Sequence, residues 1–345
     1  MKIRLLANCL ILSAFGLNAA ASARAPAPVQ SPSGQSPSAA IERISPVLKA
    51  QVLLDRAGFA PGALDGRQGH FLAVALTGFQ QSRGLPATGQ LDDASWSALN
   101  RDYAPTLVRM ILKEDALAEN FTPDIPGDMM AQAALPYLGY RNLLERLAER
   151  FHTTPQMLLA LNPALKSPRA GMELVLPGVI PSDRAYAESL SPEWRAMLAT
   201  LNVGATQPVA AKIVVVKSHS VLKAYDAQDR LVAQFPATMG SEHDPLPIGN
   251  WIVKGTAFLP TYHYNPELFW DASEGDKKAV LPPGPNNPVG VVWIDLDKPH
   301  YGIHGTPEPS RIGRSQSHGC IRLSNWDVAR LAQMISPQTP VLFRE

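Results

Sequence analysis

The last third of the chain is a succession of short Val- and Leu-rich runs set apart by turn residues, and this pattern narrows the fold more than any other feature. Residues 212–217, 221–225 and 231–237 are such runs, and Ala227, Gln228, Asp229 and Arg230 form a turn between the last two. Another run leads from Leu246 through Trp251 to Lys254, and one more follows over 291–296 after a rigid Pro-rich loop at 282–290. Runs of about four to eight residues at this spacing imply short strands in an antiparallel β-fold. Val328, Leu331, Ala332 and Ile335 then mark one face of a helix, with Ser324 and Asp327 as a capping pair at its start.

A chain of 345 residues exceeds one typical domain, and its net charge of +1 gives no footprint for nucleic acid. Lys2 and Arg4 precede an apolar run over 5–17 that is too short to span a bilayer, and Ala21-Ser22-Ala23 fits a cleavage site. Residues 1–23 are therefore expected to be a removable export signal. Residues 24–45, rich in Ala, Pro, Ser, Gly and Gln, read as a flexible tether. Over 46–100 the spacing predicts three helices: one ending near Gly58, one carrying Leu72, Val74, Ala75 and Phe79, and a short capped one over 92–99. Residues 101–136 read as a linker with one helix over 107–119. In 137–178, Leu143, Leu144, Leu147, Ala148 and Phe151 predict a helix. Thr153 or Thr154 caps a second helix, and 173–177 closes as a strand. Residues 179–210 read as a second linker, containing a helix near 194–201, and 211–345 hold the β-rich part.

The chemistry concentrates in Tyr301-Gly302-Ile303-His304-Gly305-Thr306 and Ser317-His318-Gly319-Cys320-Ile321-Arg322. Cys9 lies in the expected signal, so Cys320 is the last thiol of the finished protein, and an unpaired thiol in an exported chain asks for a reason. Three arrangements fit these residues. The thiol can be a small buried hydrophobe among core histidines. It can be a metal ligand, although zinc sites usually draw on several ligands from close pairs. Or it can be a nucleophile whose proton a neighbouring imidazole accepts.

IHGT followed by SHGCIRLSN resembles the active-site signature of the L,D-transpeptidases, the YkuD-like catalytic domains that remodel peptidoglycan; the resemblance covers about 211–343. It implies a β-sandwich, with Cys320 as nucleophile and His304 as proton acceptor and donor. The Gly305 carbonyl orients His304, and His318 and Gly319 line the oxyanion side. Arg322, where members of the family carry Arg or Asn, bears on substrate contacts, as do Ser317 and Thr306; Arg311 and Arg314 stand near. LDG and FQQSRGLPATGQLDDASWSAL resemble the type 1 peptidoglycan-binding module, a three-helix unit. Helix, helix and strand with Leu161-Asn162-Pro163 resemble a LysM module, without its usual opening Gly-Asp-Thr.

The expected architecture is thus multi-domain α+β. A three-helix module comes first, a small LysM-like module lies between, and the catalytic sandwich comes last. The resemblance implies peptidoglycan stem peptides and glycan strands as partners, a second stem amine or an anchored lipoprotein as acyl acceptor, and no cofactor or metal. It also implies a periplasmic or wall-associated location. A hydrolase using the same thiol, and a wall-binding protein with a vestigial thiol, are the other classes. Tyr262, His263, Tyr264 and Trp270 form an aromatic stretch that suits a wall over the site and a packed core equally.

Overall fold

The computed structural model describes residues 45–345. The expected export signal, Cys9 and all of the expected tether but Ser45 lie outside the described residues. Helix α1 spans Pro46–Arg56; Pro46 opens its first turn and the Ser45 hydroxyl accepts from the Val47 amide at 3.2 Å. Helices α2 (His70–Ser82) and α3 (Asp93–Leu99) follow, and Asp92 caps α3 by accepting from the Ser95 amide at 2.8 Å. Leu53, Leu54, Leu72, Leu76 and Phe79 pack together between these helices, and Leu231 of the β-rich part joins them. The Ala60 amide donates to the Gln234 carbonyl and the Gln234 amide to the Gly58 carbonyl, both at 2.9 Å.

The helix expected over 107–119 does not form. Leu107–Ile111 is a strand, β1, followed by the single-turn helix α4 (Glu114–Leu117). Its ladder partner, β2 (Glu173–Pro177), lies far along the chain and pairs antiparallel with it, Leu107 opposite Pro177. A non-local strand partner overrides local helical propensity here. Between them lie α5 (Met129–Ala133), α6 (Leu143–Arg150, capped by Asn142) and α7 (Pro155–Leu161, capped by Thr154). Asn162 then fastens α7 to β2. Its side-chain amide donates to the Leu158 and Val175 carbonyls at 3.1 and 2.7 Å, and its oxygen accepts from the Val175 amide at 2.7 Å. Leu147, Phe151, Leu158, Leu174 and Leu176 share one core with Leu48, Val52 and Leu64 of the first module.

Helix α8 (Pro192–Thr200), in the stretch read as a linker, sends Trp194 and Leu198 into the main core. The strands that follow are β3 (Lys212–Val216), β4 (Val221–Tyr225), β5 (Leu231–Pro236), β6 (Thr238–Met239), β7 (Gly249–Phe258), β8 (Tyr262–Tyr264), β9 (Ala279–Leu281), β10 (Val292–Leu296), β11 (Gly302–His304) and β12 (Ile321–Arg322). Helix α9 (Asn325–Met334) and β13 (Pro340–Arg344) end the chain. Nine strands form one ladder in the order β5-β4-β3-β13-β7-β10-β11-β12-β6, and β8 and β9 make a separate hairpin. Strand β7 belongs to both halves, pairing with β13 from Gly249 to Ile252 and with β10 from Val253 onward. The ladder is antiparallel except where β3 meets β13 and β11 meets β12, which run parallel. Ile213, Val215, Leu222 and Phe235 of one half share a core with Val292, Ile294, Ile303 and Ile321 of the other, together with Trp326 and Leu331 of α9.

All three segments meet at a buried carboxylate. Asp55 of α1 is gripped by both terminal nitrogens of Arg330 of α9, at 3.1 and 2.8 Å, and by His152 Nδ1 at 3.0 Å. His152 Nε2 donates to the Leu201 carbonyl at 2.8 Å, and its ring stacks on Trp326 with centroids 5.1 Å apart. Burial alone would raise the Asp55 carboxyl, but Arg330 and His152 hold it well below the usual range. Arg330→Ala leaves that charge buried with only His152 beside it, and urea denaturation should show a loss of about 3–5 kcal/mol. The double replacement Asp55→Leu with Arg330→Met removes both charges and is expected to recover most of that loss.

Candidate active site

The parallel pairing of β11 and β12 builds the site. Ile303 stands opposite Ile321 and His304 opposite Arg322. Both isoleucines are buried in the core. Side chains alternate along a strand, so His304, Arg322 and, one step before β12, Cys320 all present to the opposite face. The two halves of the motif are thereby brought side by side.

His304 is almost wholly buried, and its ring stacks on Trp293 with centroids 5.4 Å apart. Its Nδ1–H donates to the Gly305 carbonyl at 2.7 Å. A carbonyl can only accept, so the neutral ring carries its proton there and leaves the lone pair on Nε2. Burial pulls this imidazole down to about 3, and Arg322 pushes the same way against the Gly305 hydrogen bond. Cys320 is half-buried, its Sγ 3.6 Å from the His300 carbonyl. Burial raises the thiol; the Gly302 backbone and Arg322 pull the other way without overcoming it. At rest both partners are therefore neutral, and among the described residues no hydrogen bond joins Cys320 to His304.

The loop before Cys320 is fixed from behind. Ser317 is 2% exposed, and its hydroxyl accepts from the Gly240 amide and donates to the Cys320 carbonyl, both at 2.7 Å. Ser317 thus holds the loop; its hydroxyl is spent within the protein. Gly319 sits at φ +95°, and a Cβ there would lie 2.6 Å from the Tyr301 ring, so both the turn and the space require glycine. His318 Nε2 donates to Asp271 at 2.8 Å, and its ring packs edge-on against Phe269 at 4.8 Å. His318 Nδ1 is buried with no partner among the described residues. Phe269, Trp270 and Asp271 lie between β8 and β9, and Trp270 stacks on His243 at 4.3 Å. The aromatic stretch takes both forms left open by the sequence. Tyr264 packs with Leu138 and Leu281, whereas Phe269 and Trp270 make a wall beside His318. Burial, with a contribution from Cys320, raises the Tyr262 hydroxyl to about 12.

Arg322 donates to the Gln316 carbonyl at 3.3 Å, and the Thr306 hydroxyl accepts from the Glu308 amide at 3.2 Å. Both residues line a cavity of about 580 Å³ with Arg311 and Arg314; Cys320 and His304 stand beside it rather than in its lining. Among the described residues no group of three or more His, Cys, Asp or Glu side chains is placed to hold a metal ion.

A residue inside the motif had its role hidden in the sequence. Asn325 Oδ1 accepts from the Val291 amide at 3.2 Å and lies so close to Gly305 that a Cβ there would come within 2.2 Å of it. Asn325 Nδ2 donates to Glu149 Oε1 at 2.8 Å and to the Pro285 carbonyl at 3.1 Å. The glycine whose carbonyl orients His304 thus packs against Asn325, and Asn325 is held by a carboxylate from α6. No local signal marked Glu149. Burial raises it to about 7, against the hydrogen bond from Asn325.

The family model for the L,D-transpeptidase catalytic domain matches residues 210–342, and one described as "Putative peptidoglycan binding domain" matches residues 43–99. The chain is 30% identical over 200 residues to the "Putative L,D-transpeptidase YkuD" of Bacillus licheniformis, an alignment covering 57% of this chain and 91% of that protein. The chain belongs to the L,D-transpeptidase family. Members of this family are enzymes of the acyltransferase class. It is also similar to the "Probable L,D-transpeptidase YbiS" of Escherichia coli, with 32% identity over 137 residues, 38% of this chain and 44% of that one. Among solved structures, an L,D-transpeptidase from Xylanimonas cellulosilytica aligns over 86% of this chain and 92% of its own, at 15% identity and a TM-score of 0.34.

Glu149 also sets a pH dependence. The fold keeps its proton up to about pH 7, against 4.5 ordinarily, so the native state binds more protons than the unfolded one between those values. Stability therefore falls as pH rises through that window. Burial raises Asp327 to about 7 too, in the same direction. Melting temperatures measured from pH 5 to pH 8 should decline, and Glu149→Gln should flatten part of that slope while keeping the contact to Asn325.

Proposed function

We propose that this enzyme acts on peptidoglycan, with Cys320 attacking the carbonyl of a diaminopimelate residue in a tetrapeptide stem. The observation that carries this reading is the placement of the Cys320 thiol and a singly protonated His304 on one face of the β11–β12 pair. A raised thiol beside a lowered imidazole describes a neutral pair rather than a standing thiolate and imidazolium. His304 Nε2 takes the thiol proton as the sulfur–carbon bond forms. Backbone N–H groups around Gly319 and Cys320 stabilise the oxyanion, a contribution of about 3 kcal/mol for one well-placed donor. His304 then returns the proton to the leaving D-alanine amine as the carbon–nitrogen bond breaks, and a thioester remains. An amine attacks the thioester and releases the thiol. That amine is the side chain of a second stem peptide, giving a 3–3 cross-link, or a lysine of an anchored protein.

The unpartnered His318 Nδ1 is suited to a substrate donor or acceptor, and Arg322 to a stem carboxylate. The first module supports retention at the glycan. The β1–α6–α7–β2 unit, clamped by Asn162, supports a LysM-like reading for the middle segment. A substrate of this kind implies a cell-wall or periplasmic setting.

Incubation with a carbapenem should add one adduct to the intact mass of the wild-type protein and none to Cys320→Ala. On isolated sacculi, new 3–3 dimers support transfer, whereas net loss of dimers or of linked protein would mean hydrolysis by the same thiol. The neutral pair makes a pH prediction as well. His304 stays unprotonated down to about pH 3, so the acylation rate should be level from pH 5 to 8 and rise only where the thiol itself ionises. A limb centred near pH 6.5 in single-turnover acylation would contradict it.

A further inference from the structure

The Arg322 cavity has a neighbour. It shares Ile312, Gly313 and Arg314 with a second cavity of about 750 Å³ that runs between α2, α7 and the loop following His304. A third, of about 270 Å³, shares Pro309 and Ser310 with the second and ends at Glu145 and Glu149 of α6. The second cavity is a trough beside that of Arg322, and it is walled by all three segments of the chain. The catalytic loop is pressed against the first module along it. A Cβ on Gly313 would lie 2.2 Å from the Phe71 ring, and the Gly313 amide donates to the Thr238 hydroxyl at 2.7 Å. The wall is therefore preformed rather than assembled from tethered parts.

The charges along this trough are unbalanced. Arg67 and Arg314 face it against Asp65, and Arg311 and Arg322 line the neighbouring cavity against Glu308. Asp65 is already engaged by the Gln51 side chain and the Arg67 amide, both at 2.9 Å, and Glu308 pairs with Arg311 at 3.2 Å. Among the described residues, Arg67 and Arg314 have no ion-pair partner. Two guanidinium groups from different modules, both unpaired and both facing one trough, are suited to a ligand with spaced carboxylates.

We infer that the trough is a binding site for an anionic peptide, a second stem peptide with free carboxylates, held by Arg314 of the catalytic loop and Arg67 of the first module. This rests on the proposed peptidoglycan substrate and adds where the distal part of that substrate lies. The first module then forms one wall of the substrate site in addition to retaining the enzyme on the wall. Gln68 and Gln156, also on the trough, supply neutral donors and acceptors.

The test uses the full chain carrying Cys320→Ala, so that nothing turns over. Titration calorimetry compares a soluble disaccharide-tetrapeptide with its counterpart in which the free carboxylates are amidated. The amidated fragment should bind about tenfold more weakly. Arg67→Ala should weaken the free-carboxylate fragment by about fivefold and leave the amidated one unaffected, and Arg67→Lys should restore part of the loss. Arg67 is exposed, and circular dichroism checks that these variants fold. Equal affinity of the two fragments, no measurable binding of either, or indifference to Arg67→Ala would overturn the site. Failure of the catalytic reading is separately visible. In that case the wild-type protein gains no carbapenem adduct, whatever the affinities for the fragments.

Discussion

Asp55 is the point on which three distant stretches of chain agree. It comes from the first helix, Arg330 from the last, and His152 from the turn after α6. A buried ion pair is weak as a source of net stability, because taking both charges out of water costs nearly what their attraction returns. Its effect is on specificity. Any other arrangement of the three segments strands a carboxylate or a guanidinium in an apolar core. The modules are thereby committed to one mutual placement, and the shared cores around Leu231 and Leu64 are packed to match.

That placement reaches the reacting groups through α9. Arg330 and Trp326 lie on the helix that begins directly after β12, and Asn325 opens its first turn. One face of this helix is tied to Asp55 and His152, while its start packs against Gly305. Glu149 of α6 closes the same circuit from the side. The Gly305 carbonyl sets the imidazole tautomer, and the Asn325 side chain packed against that glycine is itself hydrogen-bonded to Glu149 in the middle segment.

How much of this the sequence disclosed depends on how local each feature is. Helix caps at Asp92, Thr154 and Ser324 were legible because a cap needs only a few neighbouring residues. The short Val-rich strands and the HGT and SHGC pieces were legible for the same reason. The local pattern at β1 points to a helix because its strand partner lies some sixty residues on, and no window of sequence contains both. The stretches read as linkers carry Trp194 and Leu198, whose apolar face was visible but whose docking surface was not. Ser317 illustrates a further limit. A serine before a nucleophile suits substrate contact on paper, yet its hydroxyl is consumed by Gly240 and Cys320. The roles of Glu149, Asn325 and Asp271 needed three dimensions, because each depends on a partner from another part of the chain.

The uncharged resting state of Cys320 has a consequence for how long the protein lasts. Oxidants, like alkylating agents, react with thiolate far faster than with thiol. A permanently ionised sulfur, with no second cysteine among the described residues, would drift towards sulfenic and then irreversible acids under oxidising conditions. In the proposed mechanism the proton stays on sulfur until a carbonyl is in position, which trades some standing reactivity for a longer working life.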